Sequence, residues 1–283
     1  MKLLQFYHLQ DQDRKPQVGI LEGDSTVIAL NTSGAVREVI RQFNVEALKV
    51  ETEGAVTYPL NEVKLLSPVT DPEKIICIGL NYQDHVIESN MQVPKVPVLF
   101  PKYNNCLTGH GDDVVIPHEV TQCDYEVELA VVIGKTAKRV SKETAMDYVF
   151  GYTVLNDVSA RDIQLNEPQW TRGKAIDGFA PMGPWIVTTD EIENPGELGI
   201  SLKLNGVTMQ NSNTRELIFD IPYLVSFLSN TITLQPGDII STGTPPGVGM
   251  GKNPQVWLKP GDVVEATIKG IGTLRNTFVA DIS

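Results

Sequence analysis

Asp124-Tyr-Glu-Val-Glu-Leu-Ala-Val-Val-Ile-Gly134 sets two carboxylates at i and i+2 at the head of an unbroken apolar run. On a strand successive side chains alternate faces, so Glu126 and Glu128 project to one side, about 7 Å apart along the backbone. Leu129–Ile133 is apolar on both faces, as a strand covered on both sides must be. Two acids on such a strand lose hydration and repel each other, which is tolerable if they share a proton or bind a cation. On a solvated edge the same pair would need neither. A second apolar segment, Tyr152–Asn156, runs directly into a third acid, Asp157. Three carboxylates without any His spacing select a hard cation. Mg²⁺, Mn²⁺ and Ca²⁺ all qualify, Mg²⁺ first because it keeps waters that substrate oxygens can replace. Asp124 shares their face but stands at the strand mouth, where a supporting or exposed position is expected.

Outward from this stretch the chain is mostly β, with an α+β start. Strands are expected at Lys74–Gly79, Val114–Pro117, Tyr125–Gly134, Val149–Asn156, Trp185–Thr188, Ile200–Gln210, Asp238–Thr242 and Asp262–Ile268. Asn205-Gly206 tolerates the positive φ of a type I′ turn and marks a hairpin. One helix is expected to open at Ser141 and run to Gly151, and another near 220–229. Residues 1–66 read as a small N-terminal domain, with strands Lys2–Phe6, Gln17–Glu22 and Thr26–Leu30 and a helical spacing over 34–48. The connector Ser67-Pro-Val-Thr-Asp-Pro72 separates it from the main domain, 67–283, whose sheet is expected to be closed or strongly curved.

The bulk numbers exclude several functions. The net charge is -12 over 283 residues and the basic residues are scattered, which is the wrong surface for nucleic acid. No apolar run reaches membrane-spanning length. Three cysteines without CxxC spacing suit a reducing compartment. The opening residues turn polar too early for a signal peptide. A cytoplasmic protein is expected, or a mitochondrial one if a transit peptide was removed.

Two further constellations carry chemistry. His85 and Glu88 stand at i and i+3, adjacent on a helix, where a carboxylate can raise the basicity of an imidazole; the same spacing also arises as an incidental surface pair. The following Ser89–Val98, with Pro94 and Pro97, reads as a loop able to act as a lid. Lys174 lies in a glycine-punctuated segment that could aim its ammonium inward or leave it solvated. Thr242-Gly-Thr-Pro-Pro-Gly-Val-Gly249 can present backbone N–H groups to an anion but lacks the lysine of a nucleotide-binding loop.

Seven motifs then run in order from Gly79 to Val264: GLNYxxH from 79, DYEVELAVVIGK from 124, NDVSARDxQ from 156, QWxxGKxxDxFxPxGP from 169, LNGxxxQxSNT from 204, PGDxIxTGTPPGVG from 236 and LKPGDxV from 258. In this the chain resembles the fumarylacetoacetate hydrolase superfamily. The resemblance implies a mixed β-sandwich roll, usually a homodimer, acting on small keto acids. It implies Glu126, Glu128 and Asp157 as ligands of Mg²⁺ or Mn²⁺, and His85 with Glu88 as a lid dyad in which a base activates water. It also implies Lys174 as the residue that stabilises enolate charge, and Arg161, Gln164 and Thr244 as substrate-binding positions. C–C hydrolysis of an acylpyruvate or fumarylacetoacetate-type substrate is the first expectation. Tautomerisation or decarboxylation of oxaloacetate is the alternative, and a noncatalytic metal-binding scaffold the last. Two departures stand out: Ala175-Ile176 replaces a hydroxyl and Phe after the lysine, which is expected to reshape the pocket, and Lys102–Gly111 falls in a variable segment.

Overall fold

A computed structural model describes residues 1–32, 35–42, 52–88 and 92–282; within these, the side chains of His85 and Ile87 lie outside the description. Val127–Ile133 is buried at every position. It pairs antiparallel with Val149–Asn156 on one side, in the register Leu129↔Val154, and with Ile239–Ser241 on the other. The strand separates two hydrophobic clusters. Val127, Leu129, Val131 and Ile133 pack with Leu202, Ala266 and Phe278, whereas Ala130 and Val132 pack with Ile75, Cys77 and Ile186. Period two therefore puts Glu128 on the second face, away from the smaller sheet.

The larger sheet runs, edge to edge, through Thr57–Pro59, Thr26–Ala29, Gln17–Glu22, Lys2–His8, Ala180–Thr188, Val149–Asn156, Val127–Ile133, Ile239–Ser241, Ile75–Gly79 and Val98–Lys102. The second sheet runs Val207–Asn213, Gly199–Leu204, Val263–Ile268, Gly272–Ala280 and Asp113–Ile116. The fold is thus mostly β, two sheets about a shared core, as the sequence implied. The N-terminal strands continue the large sheet through Lys2↔Val187 and Leu3↔Ile186. They also hold a cluster of their own, built on Leu4, Phe6, Leu21, Val27 and Val63. The hairpin turn has φ of 50° at Asn205 and 80° at Gly206, as its sequence requires.

Three expectations need correction. The helix expected from Ser141 to Gly151 is a short 3₁₀ turn, Ala145–Tyr148, and Val149 already belongs to the strand. The β-branched and aromatic residues at 149–152 gain more from pairing with the central strand than from one further helical turn. Val98–Lys102 is a strand although Pro94, Pro97 and Pro101 punctuate the segment; it is an edge strand, where proline is tolerated. Gly272–Ala280, not expected as a strand, buries Leu274, Asn276 and Phe278 in alternation. Its period is obscured by the polar Asn276, which is satisfied by donating to the carbonyls of Gly109 (2.8 Å) and Asp112 (2.9 Å).

The helix expected over 34–48 appears as Val36–Arg41, with Val36 and Ile40 buried; Phe43 and Leu48 lie outside the described residues, as do 89–91 of the expected lid. The second helix is Ile221–Thr231, capped by Asp220, whose side chain accepts from the N–H of Tyr223. No helix among the described residues is long and apolar enough to cross a membrane.

Candidate active site

The three acids of the sequence meet at one point. The Glu126 N–H donates to Asn156 Oδ1 (2.9 Å) and the Asp157 N–H donates to the Glu126 carbonyl (2.8 Å), so the ends of two adjacent strands are tied together. One ligand oxygen from each of Glu126, Glu128 and Asp157 lies within 4.8 Å of the others, and all three residues are buried. Burying carboxylates together is unfavourable without compensating charge. Lys174 Nζ lies 2.6 Å from Glu126 Oε2 and 2.8 Å from Asp157 Oδ2. Burial alone would lower the Lys174 pKa, but the Asp157 and Glu126 charges outweigh it and hold the ammonium above its ordinary value. Arg161 Nη2 lies 2.5 Å from Glu126 Oε1, and its Nη1 donates to Gln164 Oε1 (2.9 Å).

Glu128 is different. It accepts from Ser241 Oγ (2.5 Å) and the Gly243 N–H (3.0 Å), and makes no ion pair among the described residues. Burial first, then the Asp157 and Glu126 charges, push its pKa well above the carboxylate range. An oxygen-only donor set in which one buried acid lacks a cation fits a divalent ion.

Glu126, Glu128, Asp157, Arg161, Gln164, Lys174 and Thr244 line one small cleft. Ile78, Leu80, Phe100, Trp170 and Met250 add apolar lining, and Lys174 Nζ stands 5.0 Å from the centre of the Phe100 ring. The Thr244 hydroxyl donates to the Val127 carbonyl (2.9 Å) and accepts from Gln210 Nε2 (2.8 Å), so that side chain is already committed to the scaffold. Glu88 is on the helix Gln83–Glu88, outside this lining, and both its oxygens accept from the Gly247 N–H (2.9 and 3.1 Å). Its expected partner, the His85 imidazole, lies outside the described residues. Ala175 and Ile176 do not line the cleft, so their departure from the motif does not reshape it directly.

Of the two positions expected for Asp124, the structure has the supporting one: it is fully buried, 2.9 Å from Arg161 Nε. One residue was missed from sequence. Lys102, in the segment set aside as variable, is buried beneath the acids with Nζ 2.8 Å from Asp157 Oδ1. The same ammonium donates to the carbonyls of Val158 (3.1 Å), Phe179 (2.8 Å) and Lys174. The available signal was positional: Lys102 shares the inward face of its strand with Phe100.

A buried cluster of carboxylates able to hold a divalent cation, set beside arginine and lysine in a small cleft, has the make-up of a metal-dependent enzyme site. Comparison with known proteins names the group. Residues 74–279 match the model of the fumarylacetoacetate hydrolase C-terminal domain, and the chain belongs to the fumarylacetoacetate hydrolase family. It is 43% identical over 291 residues to the mitochondrial oxaloacetate tautomerase Fahd2a of Rattus norvegicus, spanning 99% of this chain and 92% of that protein. Its fold matches the fumarylacetoacetate hydrolase of the psychrophile Exiguobacterium antarcticum with TM-score 0.87 and 36% identity, covering 99% of this chain and 100% of that one. It also matches the maleylpyruvate hydrolase of Sphingobium sp. SYK-6 in complex with manganese(II) and pyruvate, with TM-score 0.82 and 32% identity over 99% of each chain.

Proposed function

We propose that this enzyme interconverts the enol and keto forms of a small 2-oxo dicarboxylate of the oxaloacetate type, with Mg²⁺ or Mn²⁺ as its cofactor. The carrying observation is the buried triad Glu126, Glu128 and Asp157, with Lys174 laid across two of its members. The extended match to a relative named oxaloacetate tautomerase supports this choice of reaction.

Glu126, Glu128 and Asp157 would hold the divalent cation, which supplies Lewis-acid polarisation of a carbonyl. Lys174 brings a fixed positive charge to the oxygen on which negative charge develops, in a site too narrow for bulk water to screen it. Arg161 and Gln164 orient the substrate carboxylate, a task suited to a planar guanidinium held by several acceptors. Thr244 shapes the wall behind them. His85, backed by Glu88, moves the proton to and from carbon.

C–C hydrolysis of an acylpyruvate, the first expectation from the motifs, uses the same groups but requires His85 to activate water. The Exiguobacterium neighbour, named a hydrolase, keeps that reading in view. A homodimer belongs to the same proposal, with the edge strand Val98–Lys102 and its exposed neighbours Val96 and Tyr103 as surface to cover.

Purified enzyme with Mg²⁺ or Mn²⁺ is assayed separately for oxaloacetate enol–keto exchange, pyruvate release and acylpyruvate cleavage. Metal-dependent exchange without pyruvate release is the expected result. Acylpyruvate cleavage without exchange would replace this reading by the hydrolase, and no metal-dependent turnover of any of them would overturn both.

A further inference from the structure

Asp124 has no part in the chemistry proposed above, yet its carboxylate ties Arg161 to the turn that carries Gly249 and Met250. It ends the two-residue strand Cys123–Asp124, which pairs with Ser159–Ala160 just ahead of Arg161. Its Oδ2 accepts from Arg161 Nε (2.9 Å) and the Met250 N–H (3.1 Å). Its Oδ1 accepts from the Gly249 N–H (2.6 Å) and the Tyr125 N–H (2.9 Å). All four partners are N–H donors, so the position demands a group that only accepts, which among side chains is an ionised carboxylate.

On one side, the bond to Nε fixes the plane of the Arg161 guanidinium. The group is rigid and planar, so its other two nitrogens must then point at Glu126 and Gln164, both in the cleft wall. On the other side, the same carboxylate holds two consecutive N–H groups of the glycine loop. Met250, which carries one of them, lines the cleft. Gly249 is required by the close approach: a Cβ there would lie 2.7 Å from Asp124 Oδ1 and 1.9 Å from the Val256 carbonyl. The neighbouring residue grips the same loop, since Tyr125 Oη donates to the Gly247 carbonyl (3.2 Å). The Gly247 N–H in turn holds Glu88.

We infer that Asp124 is a positioning residue that couples the orientation of Arg161 to the placement of the loop 247–251, and through Gly247 to the helix Gln83–Glu88. Substrate alignment by Arg161 and the position of Met250 in the cleft lining are then one adjustment. The part of this inference that concerns substrate rests on the function proposed above; the coupling itself does not.

The test compares wild type with Arg161→Met and Asp124→Asn. Arg161 donates no bond to the loop. If Asp124 transmits its state, Arg161→Met raises amide hydrogen exchange at Gly249 and Met250 by roughly tenfold. Unchanged exchange there overturns the coupling, whatever the substrate proves to be. Asp124→Asn keeps the shape but turns an N–H₂ against two of the four donors. It is expected to raise KM for the 2-oxo substrate about tenfold while kcat and the Kd for Mn²⁺ stay within about threefold. A loss of Mn²⁺ affinity as large as the rise in KM, or an unchanged KM, would reduce Asp124 to a structural staple. If Asp124→Asn does not fold, the exchange result on Arg161→Met decides. Should wild type turn over no 2-oxo acid, the functional reading fails while the exchange measurement still judges the coupling.

Discussion

Lys102 Nζ lies 2.8 Å from Asp157 Oδ1, and neither side chain is exposed to solvent. The pair sits under the acid cluster: Lys102 is absent from the cleft lining, while Asp157 presents its other oxygen to Lys174. One buried ammonium thus sets a positive charge against a candidate metal ligand and ties down the backbone carbonyls at Lys174 and Phe179. Four buried acids, Asp124, Glu126, Glu128 and Asp157, face three buried cations, Lys102, Arg161 and Lys174. With Glu128 ionised, one negative charge is left over, which an added positive ion would offset.

Lys102→Met removes the charge with little change of volume and leaves one Asp157 oxygen facing apolar surroundings. Breaking a buried pair from one side costs about 3–5 kcal/mol. The urea midpoint should fall accordingly, with Mn²⁺ affinity falling as Asp157 loses its fixed orientation. A stability change under about 1 kcal/mol would refute the structural role.

Glu128→Gln should act in opposite directions on stability and on metal binding. The amide oxygen can still accept from Ser241 and Gly243, and an acid whose charged form is disfavoured by burial and by the Asp157 and Glu126 charges is removed. The metal-free protein should be as stable as wild type or more so, by about 1 kcal/mol. Calorimetric titration with Mn²⁺ should nevertheless show affinity reduced roughly a hundredfold or more. Retained affinity would remove Glu128 from the ligand set.

Gly247→Ala tests the loop. Gly247 has φ of 105°, and a Cβ there would stand 2.1 Å from the Met209 carbonyl. Gly206, at φ of 80° in the hairpin turn, has open space around it. Both substitutions carry backbone strain of about 1–3 kcal/mol, but only the first also displaces packed backbone and the Glu88 anchor. Thermal unfolding should place Gly247→Ala well below Gly206→Ala. Equal melting temperatures would contradict the described packing.

His110 should make stability pH-dependent. Burial first, then Lys64 and Arg275, lower its pKa from the usual 6.5, and its Nδ1 accepts from the Arg275 N–H (3.2 Å). The unfolded chain therefore takes up a proton at higher pH than the folded one. The stabilisation is complete above the unfolded value and is lost as pH falls through it and on through the lowered folded value. Between about pH 7.5 and 5.5 the urea midpoint of wild type should drop more than that of His110→Gln. Parallel drops would exclude His110 as the source.

The acid site was legible because its signal is local. Period-two spacing of Glu126 and Glu128, the apolar run behind them and Asp157 at the end of the next strand are properties of short segments. Strand alternation turns such spacing into geometry without reference to the rest of the chain. The Asn205-Gly206 turn was legible for the same reason. The Ser141–Gly151 helix was not, because cap-like residues there compete with a strand whose partner lies elsewhere in the chain.

Asp124 and Lys102 mark where sequence reading ends. Asp124 meets Arg161 across 37 residues, and Lys102 meets the Lys174 carbonyl across 72. Neither separation leaves a periodic trace. Neither side chain shows its partners until the sheet brings opposite charges and backbone groups around it. Sequence by itself determined the strand, its acids and the kind of ion they suit. Only the tertiary structure decided which buried charges balance those acids and which loop closes over them, because desolvation and pairing depend on neighbours that chain order does not encode.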